Sequence, residues 1–298
     1  MNIVITGASG FVGSNLSGHL KSEGHHIESL SLRKNWELNR KADAVIHLAG
    51  KAHDTANTSA EEEYFAVNTD LTKKLFDEFL DSETEDFIYF SSVKAAADSV
   101  EGVLDEEHSS DPQTPYGKSK LLAEQYLLSK PLPGGKRLFI IRPCMIHGPG
   151  NKGNLNLLYK VVEKGLPWPL ASFENKRSFL SIDNLNFLIS EILKNKDIRS
   201  GIYNFADDEF ISTNELIKII GEASGKKSKL WKISSGLITF AARTGDKIKL
   251  PLNSERLKKL TESYMVSNKK IKNGLGIQKL PISAKEGLMK TIKSFQSR

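Results

Sequence analysis

The sequence predicts an α/β fold, a doubly wound parallel sheet carrying a smaller C-terminal lobe, and three observations predict it. Short, almost wholly apolar runs alternate with helix-patterned stretches over the first 145 residues, and runs of that kind form strands covered on both faces. A glycine-rich turn separates the first apolar run from the first helix. After Pro143 the pattern gives way to loops rich in Gly, Pro and Asn and then to a lysine-rich tail.

The elements follow in order. Ile3-Val4-Ile5 is the first strand, and a helix is expected over residues 11–22. Ile27 to Leu32 and Asp43 to Leu48 are the second and third strands, and a helix is expected over 69–80. Phe87 to Phe90 is a strand that runs into Ser91-Ser92; the helix pattern from Tyr116 to Leu128 precedes the strand Leu138 to Ile141. Gly201 to Phe205 reads as one more strand, and Ser212 or Thr213 as the N-cap of a following helix. A dinucleotide-binding unit is thus expected over residues 1–148, with a returning segment at about 177–206. A second lobe, built from loops and helices, is expected over 149–176 and 207–298. No internal repeat or low-complexity tract is visible.

The chain has 298 residues, 39% of them hydrophobic and 26% charged, with a net charge of +6. That balance fits a globular protein and excludes a disordered one. No apolar run is long enough to span a bilayer. The single cysteine, Cys144, excludes an internal disulfide and a Cys-based zinc cluster. With no secretory pattern at the start, a cytoplasmic location is expected. The charge is uneven: residues 196–298 hold 21 Lys+Arg against 10 Asp+Glu, or +11, and the remainder carries −5. Anionic lipid, nucleic acid, a diphosphate ligand and a plain solvated surface all fit a basic tail. No nucleic-acid recognition motif accompanies the lysines, so no such partner is expected.

Thr6-Gly7-Ala8-Ser9-Gly10-Phe11-Val12-Gly13 lies between a strand and a helix. Glycines there allow a sharp turn and a close backbone approach to a diphosphate, which the helix N-terminus also attracts. Gly7, Gly10, Phe11, Val12 and Gly13 are therefore candidate cofactor contacts, and the fold is expected to be of the Rossmann type. An acidic residue usually closes the second strand and binds the ribose 2′-hydroxyl. Here Ser31 stands there, followed by Arg33 and Lys34. These three suit a 2′-phosphate, so NADP(H) is favoured over NAD(H).

Tyr116 and Lys120 are four residues apart on one predicted helix and share a face. A free tyrosine, with a pKa of about 10, is a poor acid–base group at neutral pH; a neighbouring ammonium moves it toward the working range. Ser92, at the end of a preceding strand, is placed to donate to a substrate oxygen. Ser92, Tyr116 and Lys120 are the candidate catalytic residues for hydride transfer at a carbonyl carbon.

These residues resemble the extended short-chain dehydrogenase/reductase family of sugar-nucleotide epimerases, dehydratases and reductases. The resemblance rests on Gly7/Gly10/Gly13, His47-Leu48-Ala49-Gly50, Asn68, Ser91-Ser92, Tyr116-x-x-x-Lys120, Arg142-Pro143, Gly148-Pro149-Gly150 and the run Arg177 to Leu185. It implies catalysis by Ser92, Tyr116 and Lys120, a cofactor bed including Leu48, Ala49 and Pro143, and an organising role for Asn68. It also implies a nucleotide-diphosphate sugar as substrate and a homodimer through the helix of Tyr116. The sequence departs from the epimerase pattern after Ser92, where it reads Val93-Lys94-Ala95-Ala96-Ala97, and at Met145. It is more similar to bacterial polysaccharide enzymes, among them reductases of UDP-4-keto-6-deoxy-N-acetylhexosamine and related 4-epimerases.

Arg177 is the candidate cation for a substrate diphosphate, against an ordinary surface ion pair. Lys94, Asn154 and Arg256 are further substrate-side candidates, each set against a plain solvated or loop-shaping role. His25, His26 and His53 lack partners at ligand spacing, so no metal is expected. His47, inside an apolar strand, reads as a satisfied core histidine. Three readings follow. The first is an NADP(H)-dependent reductase of a 4-keto sugar. The second is an NAD-dependent UDP-sugar 4-epimerase. The third is a nucleotide-sensing protein without catalysis, disfavoured because Ser92, Tyr116 and Lys120 are all present.

Overall fold

A computed structural model describes residues 1–51, 60–151, 155–248 and 253–296. In chain order the strands are β1 (Asn2–Thr6), β2 (His26–Leu30), β3 (Ala44–His47), β4 (Asp86–Phe90), β5 (Val103–Leu104), β6 (Arg137–Pro143), β7 (Met145–His147), β8 (Arg177–Ser181), β9 (Gly201–Phe205), β10 (Phe210–Ile211) and β11 (Met265–Val266). The helices are α1 (Phe11–Ser22), α2 (Glu61–Tyr64), α3 (Leu71–Leu80), α4 (Pro115–Ser129), α5 (Leu155–Glu163), α6 (Ile182–Lys194), α7 (Thr213–Ser224), α8 (Ser235–Ile248), α9 (Ser254–Thr261), α10 (Lys269–Leu275) and α11 (Ala284–Gln296).

Six strands form one sheet in the order β2-β1-β3-β4-β6-β9, and every pair is parallel. Its central strands are largely apolar because each buries both faces, whereas the edge strand β2 is partly exposed. Ile3, Ile5, Ile46, Ile88, Phe139 and Ile141 pack with α1 and α6. Val4, Val45, Phe87, Tyr89, Leu138 and Ile140, the alternate residues, pack with α3 and α4 on the other face. The chain moves outward from β1 to β2 and then returns past β1 to β3. The crevice that this reversal opens, at the carboxyl ends of β1 and β3, is where a doubly wound sheet binds ligands.

The returning segment divides. α6 and β9 complete the large sheet, whereas β8 pairs with β7 and β10 in a separate three-stranded sheet. The second lobe is therefore not loops and helices alone. β7 and β10 are three and two residues long, too short to show a period of two. Its own core gathers Trp168, Phe179, Ile217, Ile220, Ile238, Leu288 and Ile292. α7 begins as expected: Ser212 accepts from the Glu215 amide at 3.0 Å.

Two boundaries differ from expectation. β2 ends at Leu30, and Leu32 is buried from within the turn that follows. The helical run expected from residue 69 begins at Glu61 and passes through a wide π-turn over Phe65–Asp70. That turn lets two consecutive side chains reach one residue of α4: Asn68 Nδ2 donates to Ser119 Oγ at 3.0 Å, and Thr69 Oγ1 to the Ser119 carbonyl at 2.7 Å. No helix among the described residues is long and apolar enough to cross a membrane.

Candidate active site

The glycine turn needs its glycines for space. Gly7 has φ of 70°, and a Cβ there would lie 2.7 Å from the Ala49 nitrogen. A Cβ on Gly13 would lie 2.2 Å from the Gly7 carbonyl oxygen. Gly10 caps α1 without any side-chain hydrogen bond, leaving the helix end open to an anion. Phe11 packs toward the loop of Gly148 and Gly150, where a Cβ on Gly148 would stand 3.3 Å from the Phe11 ring. Thr6 pairs with Leu30 across β1 and β2, so Ser31 follows beside Gly7. Ser31, Arg33 and Lys34 are all exposed, and no carboxylate stands among them. This cradle fits a dinucleotide diphosphate, with cations at the ribose end.

A buried relay joins the turn to the helix of Tyr116. The Ala49 amide donates to Thr6 Oγ1 at 3.1 Å, and Thr6 Oγ1 lies 2.6 Å from His47 Nδ1. His47 Nε2 lies 2.8 Å from Thr72 Oγ1, which itself donates to the Asn68 carbonyl at 2.8 Å. The Thr72 proton is thus committed, so His47 donates from Nε2 and accepts at Nδ1. Asn68 Oδ1 accepts from the Lys51 amide at 2.7 Å, and Ser119 Oγ donates to the Tyr116 carbonyl at 2.8 Å. His47 is the satisfied core histidine that its apolar strand implies.

Burial pushes the His47 pKa down to about 3, with Lys120 adding to the shift. The unfolded chain therefore takes up a proton below pH ~6.5 that the folded chain refuses. Stability is full above that pH and is lost as pH falls toward 3. Between pH 7 and 5 this single group is expected to remove about 2 kcal/mol of unfolding free energy. Urea unfolding of the protein and of His47→Gln checks this; equal pH dependence of the two proteins contradicts it.

Ser92, Tyr116 and Lys120 meet at the carboxyl end of β4. Ser92 accepts from the Lys94 amide at 3.2 Å, which starts a short 3-10 turn, and its side chain stands close enough to the Tyr116 phenol to lower that group's pKa. Thr114 caps α4 by accepting from the Gly117 amide, and Pro115 begins the helix. Gly117 has no alternative: a Cβ would lie 2.5 Å from the Lys94 carbonyl oxygen. Lys120 is buried, donates to the Phe90 carbonyl at 2.8 Å and lies 4.9 Å from the Tyr89 ring centre. Burial lowers its pKa to about 8, against the pull of Glu124. Burial raises the Tyr116 pKa, and the Ser92 hydrogen bond offsets part of that rise. The expected lowering by a neighbouring ammonium is not what dominates here; burial is. Pro143 is buried at the end of β6, and Leu48 and Ala49 are half-buried after β3.

On the lobe side, Lys94 and Arg177 gather around Tyr264. Lys94 Nζ stands 4.3 Å from that ring's centre and donates to the Asp98 carbonyl at 2.7 Å; burial lowers its pKa. Arg177 bridges to the Tyr264 backbone and donates to the Lys259 carbonyl at 2.7 Å. Both cations thus have protein partners, which qualifies the expectation of cations reserved for a substrate. Arg256 is exposed on the first turn of α9, and Asn154 and His53 lie outside the described residues. Sequence reasoning missed three groups. Tyr264 donates its hydroxyl to the Ala97 carbonyl at 2.7 Å and so holds the loop after Ser92. Glu124, one turn beyond Lys120, accepts from buried Arg142 at 3.0 Å and from Ser91. Asp98 takes the amide of Thr114, the α4 cap, at 3.1 Å.

Known proteins share this fold. The family model described as the NAD dependent epimerase/dehydratase family matches residues 3–206. A UDP-glucose 4-epimerase of Vibrio cholerae is 29% identical, over 99% of this chain and 95% of its own. Among solved structures, MoeE5 in complex with UDP-glucuronic acid and NAD superposes with a TM-score of 0.76 at 19% identity, covering 100% of this chain and 99% of that one. RMD from Pseudomonas aeruginosa, complexed with NADPH, gives 0.75 at 20% identity with the same coverage.

Proposed function

The chain belongs to the NAD dependent epimerase/dehydratase family, and we propose that it is an NADP(H)-dependent reductase of a 4-keto sugar carried on a nucleotide diphosphate. The observation that carries this reading is the end of β2. Ser31, Arg33 and Lys34 stand exposed beside Gly7 with no carboxylate among them. A carboxylate there would repel a 2′-phosphate, whereas these cations attract one. Solved structures of this fold hold either cofactor, NADPH in RMD and NAD in MoeE5, so the choice rests on these residues.

Gly7, Gly10, Phe11, Val12 and Gly13 receive the diphosphate in this reading, and Leu48, Ala49 and Pro143 line the bed. Asn68 fixes the helix of Tyr116 and Lys120 against it. A bound nicotinamide supplies the hydride at the sugar carbon. Tyr116, held neutral by burial, is then in the form that gives a proton to the carbonyl oxygen. Ser92 donates to the same oxygen, and the Lys120 ammonium helps restore the phenol's proton. In this reading Lys94 and Arg177, which also hold the Asp98 and Lys259 carbonyls, and Arg256 are the cations offered to the diphosphate of the sugar carrier.

NADPH is expected to bind at least tenfold more tightly than NADH, since one charge-assisted bond contributes about 1.5–3 kcal/mol. Arg33→Ala with Lys34→Ala is expected to erase that preference. NADPH absorbance is expected to fall steadily with a UDP-linked 4-keto sugar. NADH bound as tightly as NADPH overturns the cofactor assignment. The second reading, a 4-epimerase, is favoured by the full-length relative from Vibrio cholerae; interconversion of UDP-sugars without added cofactor establishes it and overturns the first.

A further inference from the structure

α8 has two unlike faces. Ile238 and Ala242 are buried in the core of the second lobe. Leu237 and Phe240, on the opposite face, are 66% and 71% exposed. The extended segment leading into the helix adds Trp231, 57% exposed, and Ile233, 36% exposed. This segment runs beside Trp168, whose carbonyl accepts from the Trp231 amide at 2.9 Å. Two residues before Trp168, Leu166 adds another exposed apolar side chain. Isolated exposed apolar residues are ordinary, but five clustered on one segment and its neighbour mark an interaction surface.

The charge around this face selects its occupant. Between Ala223 and Gly245 the chain carries Lys226, Lys227, Lys229, Lys232 and Arg243, and no Asp or Glu. All five are exposed. A second copy of the chain would bring five cations against five, which opposes self-association through this face. Apolar side chains on an amphipathic helix, preceded by a segment that interleaves Trp231 with lysines, match the boundary of a bilayer: rings at headgroup level, cations on lipid phosphates. We infer that α8 and the segment from Lys226 to Ile233 dock this protein peripherally on an anionic membrane surface. The docking face belongs to the lobe that also holds Arg177, because α8 packs on α9 and α9 supplies the Lys259 carbonyl that Arg177 grips. Much of the basic excess of the tail thereby gains a partner that neither the cofactor nor the substrate requires.

The test uses the full chain and two sets of vesicles, phosphatidylcholine alone and phosphatidylcholine with phosphatidylglycerol. The protein is expected to sediment with the anionic vesicles and not with the neutral ones, and rising salt is expected to release it. Trp231 emission is expected to shift to the blue on binding, and Trp231→Phe is expected to lose that shift. Leu237→Glu with Phe240→Glu is expected to weaken binding at least tenfold while turnover of a soluble substrate stays unchanged, which also shows that the variant is folded. Removing each of Lys226, Lys227 and Lys232 is expected to cost about fivefold in affinity. No sedimentation with anionic vesicles overturns the inference. So does binding that neutral vesicles match or that the Leu237/Phe240 variant retains. A dimer in sedimentation velocity that this variant dissociates assigns the face to a second copy instead; saturable capture of a polyglutamate probe without vesicle binding assigns it to an acidic protein.

Discussion

Replacing Tyr116 by phenylalanine is expected to lower turnover about 10³-fold and to leave cofactor affinity within about twofold, the span that loss of a positioned proton donor usually produces. The substitution removes one oxygen and little else. The Tyr116 ring lies edge-on to Tyr64, with centroids 6.2 Å apart, and phenylalanine keeps that contact. The start of α4 depends on Thr114 and Pro115, and Lys120 holds the Phe90 carbonyl independently of the phenol. What disappears is the phenol hydroxyl beside Ser92. Cofactor binding measured by fluorescence and turnover measured in parallel separate the two effects. Turnover within tenfold of the parent protein would place the proton relay on another group. Loss of cofactor binding together with turnover would instead make the hydroxyl a structural element of the bed.

The large sheet was legible because its central strands bury both faces. An apolar run such as Phe87 to Phe90 has no competing reading once helix patterns stand before and after it, and Gly201–Phe205 was readable to the residue. The glycine turn was legible for a similar reason, since a Cβ on Gly7 or Gly13 has no room. The lobe was less so: β7 and β10 contain three and two residues and owe their existence to pairing with β8. The π-turn at Asn68 has no period of its own. Ser92 and Tyr116 were found as a pair because they occur in order near predicted element ends. Tyr264 went unread, because it reaches the Val93–Ala97 turn across 167 residues of chain from Ala97. Such a contact leaves no local pattern.

Glu124→Ala is expected to destabilise the fold by about 3–5 kcal/mol, the cost of leaving a buried partner charge uncompensated. In the sequence Glu124 looks like an ordinary helix carboxylate, yet it is 1% exposed, and Arg142 beside it is 2% exposed. Arg142 Nε donates to both of its oxygens, at 3.0 and 3.2 Å, and Arg142 Nη2 and Ser91 close the network. Truncation strands the Arg142 guanidinium between β6 and α4, with Ser110, at 3.2 Å, left as its side-chain partner among the described residues. The thermal midpoint is expected to fall by about 10 °C, given roughly 2–4 °C per kcal/mol for chains somewhat shorter than this. Glu124→Leu with Arg142→Met, which removes both charges and keeps the volume, is expected to recover most of the loss. The same carboxylate, one helical turn from Lys120, raises that lysine's proton affinity against burial. Without it the Lys120 pKa falls below about 8, and the alkaline limb of kcat/KM is expected to move to lower pH in both variants. A stability loss under 1 kcal/mol in Glu124→Ala would mean that water or Ser110 satisfies Arg142. Recovered stability with a shifted pH limb in the double variant would separate the two roles: the ion pair sustains packing between β6 and α4, and the negative charge keeps Lys120 an ammonium at the pH where Tyr116 must give up its proton.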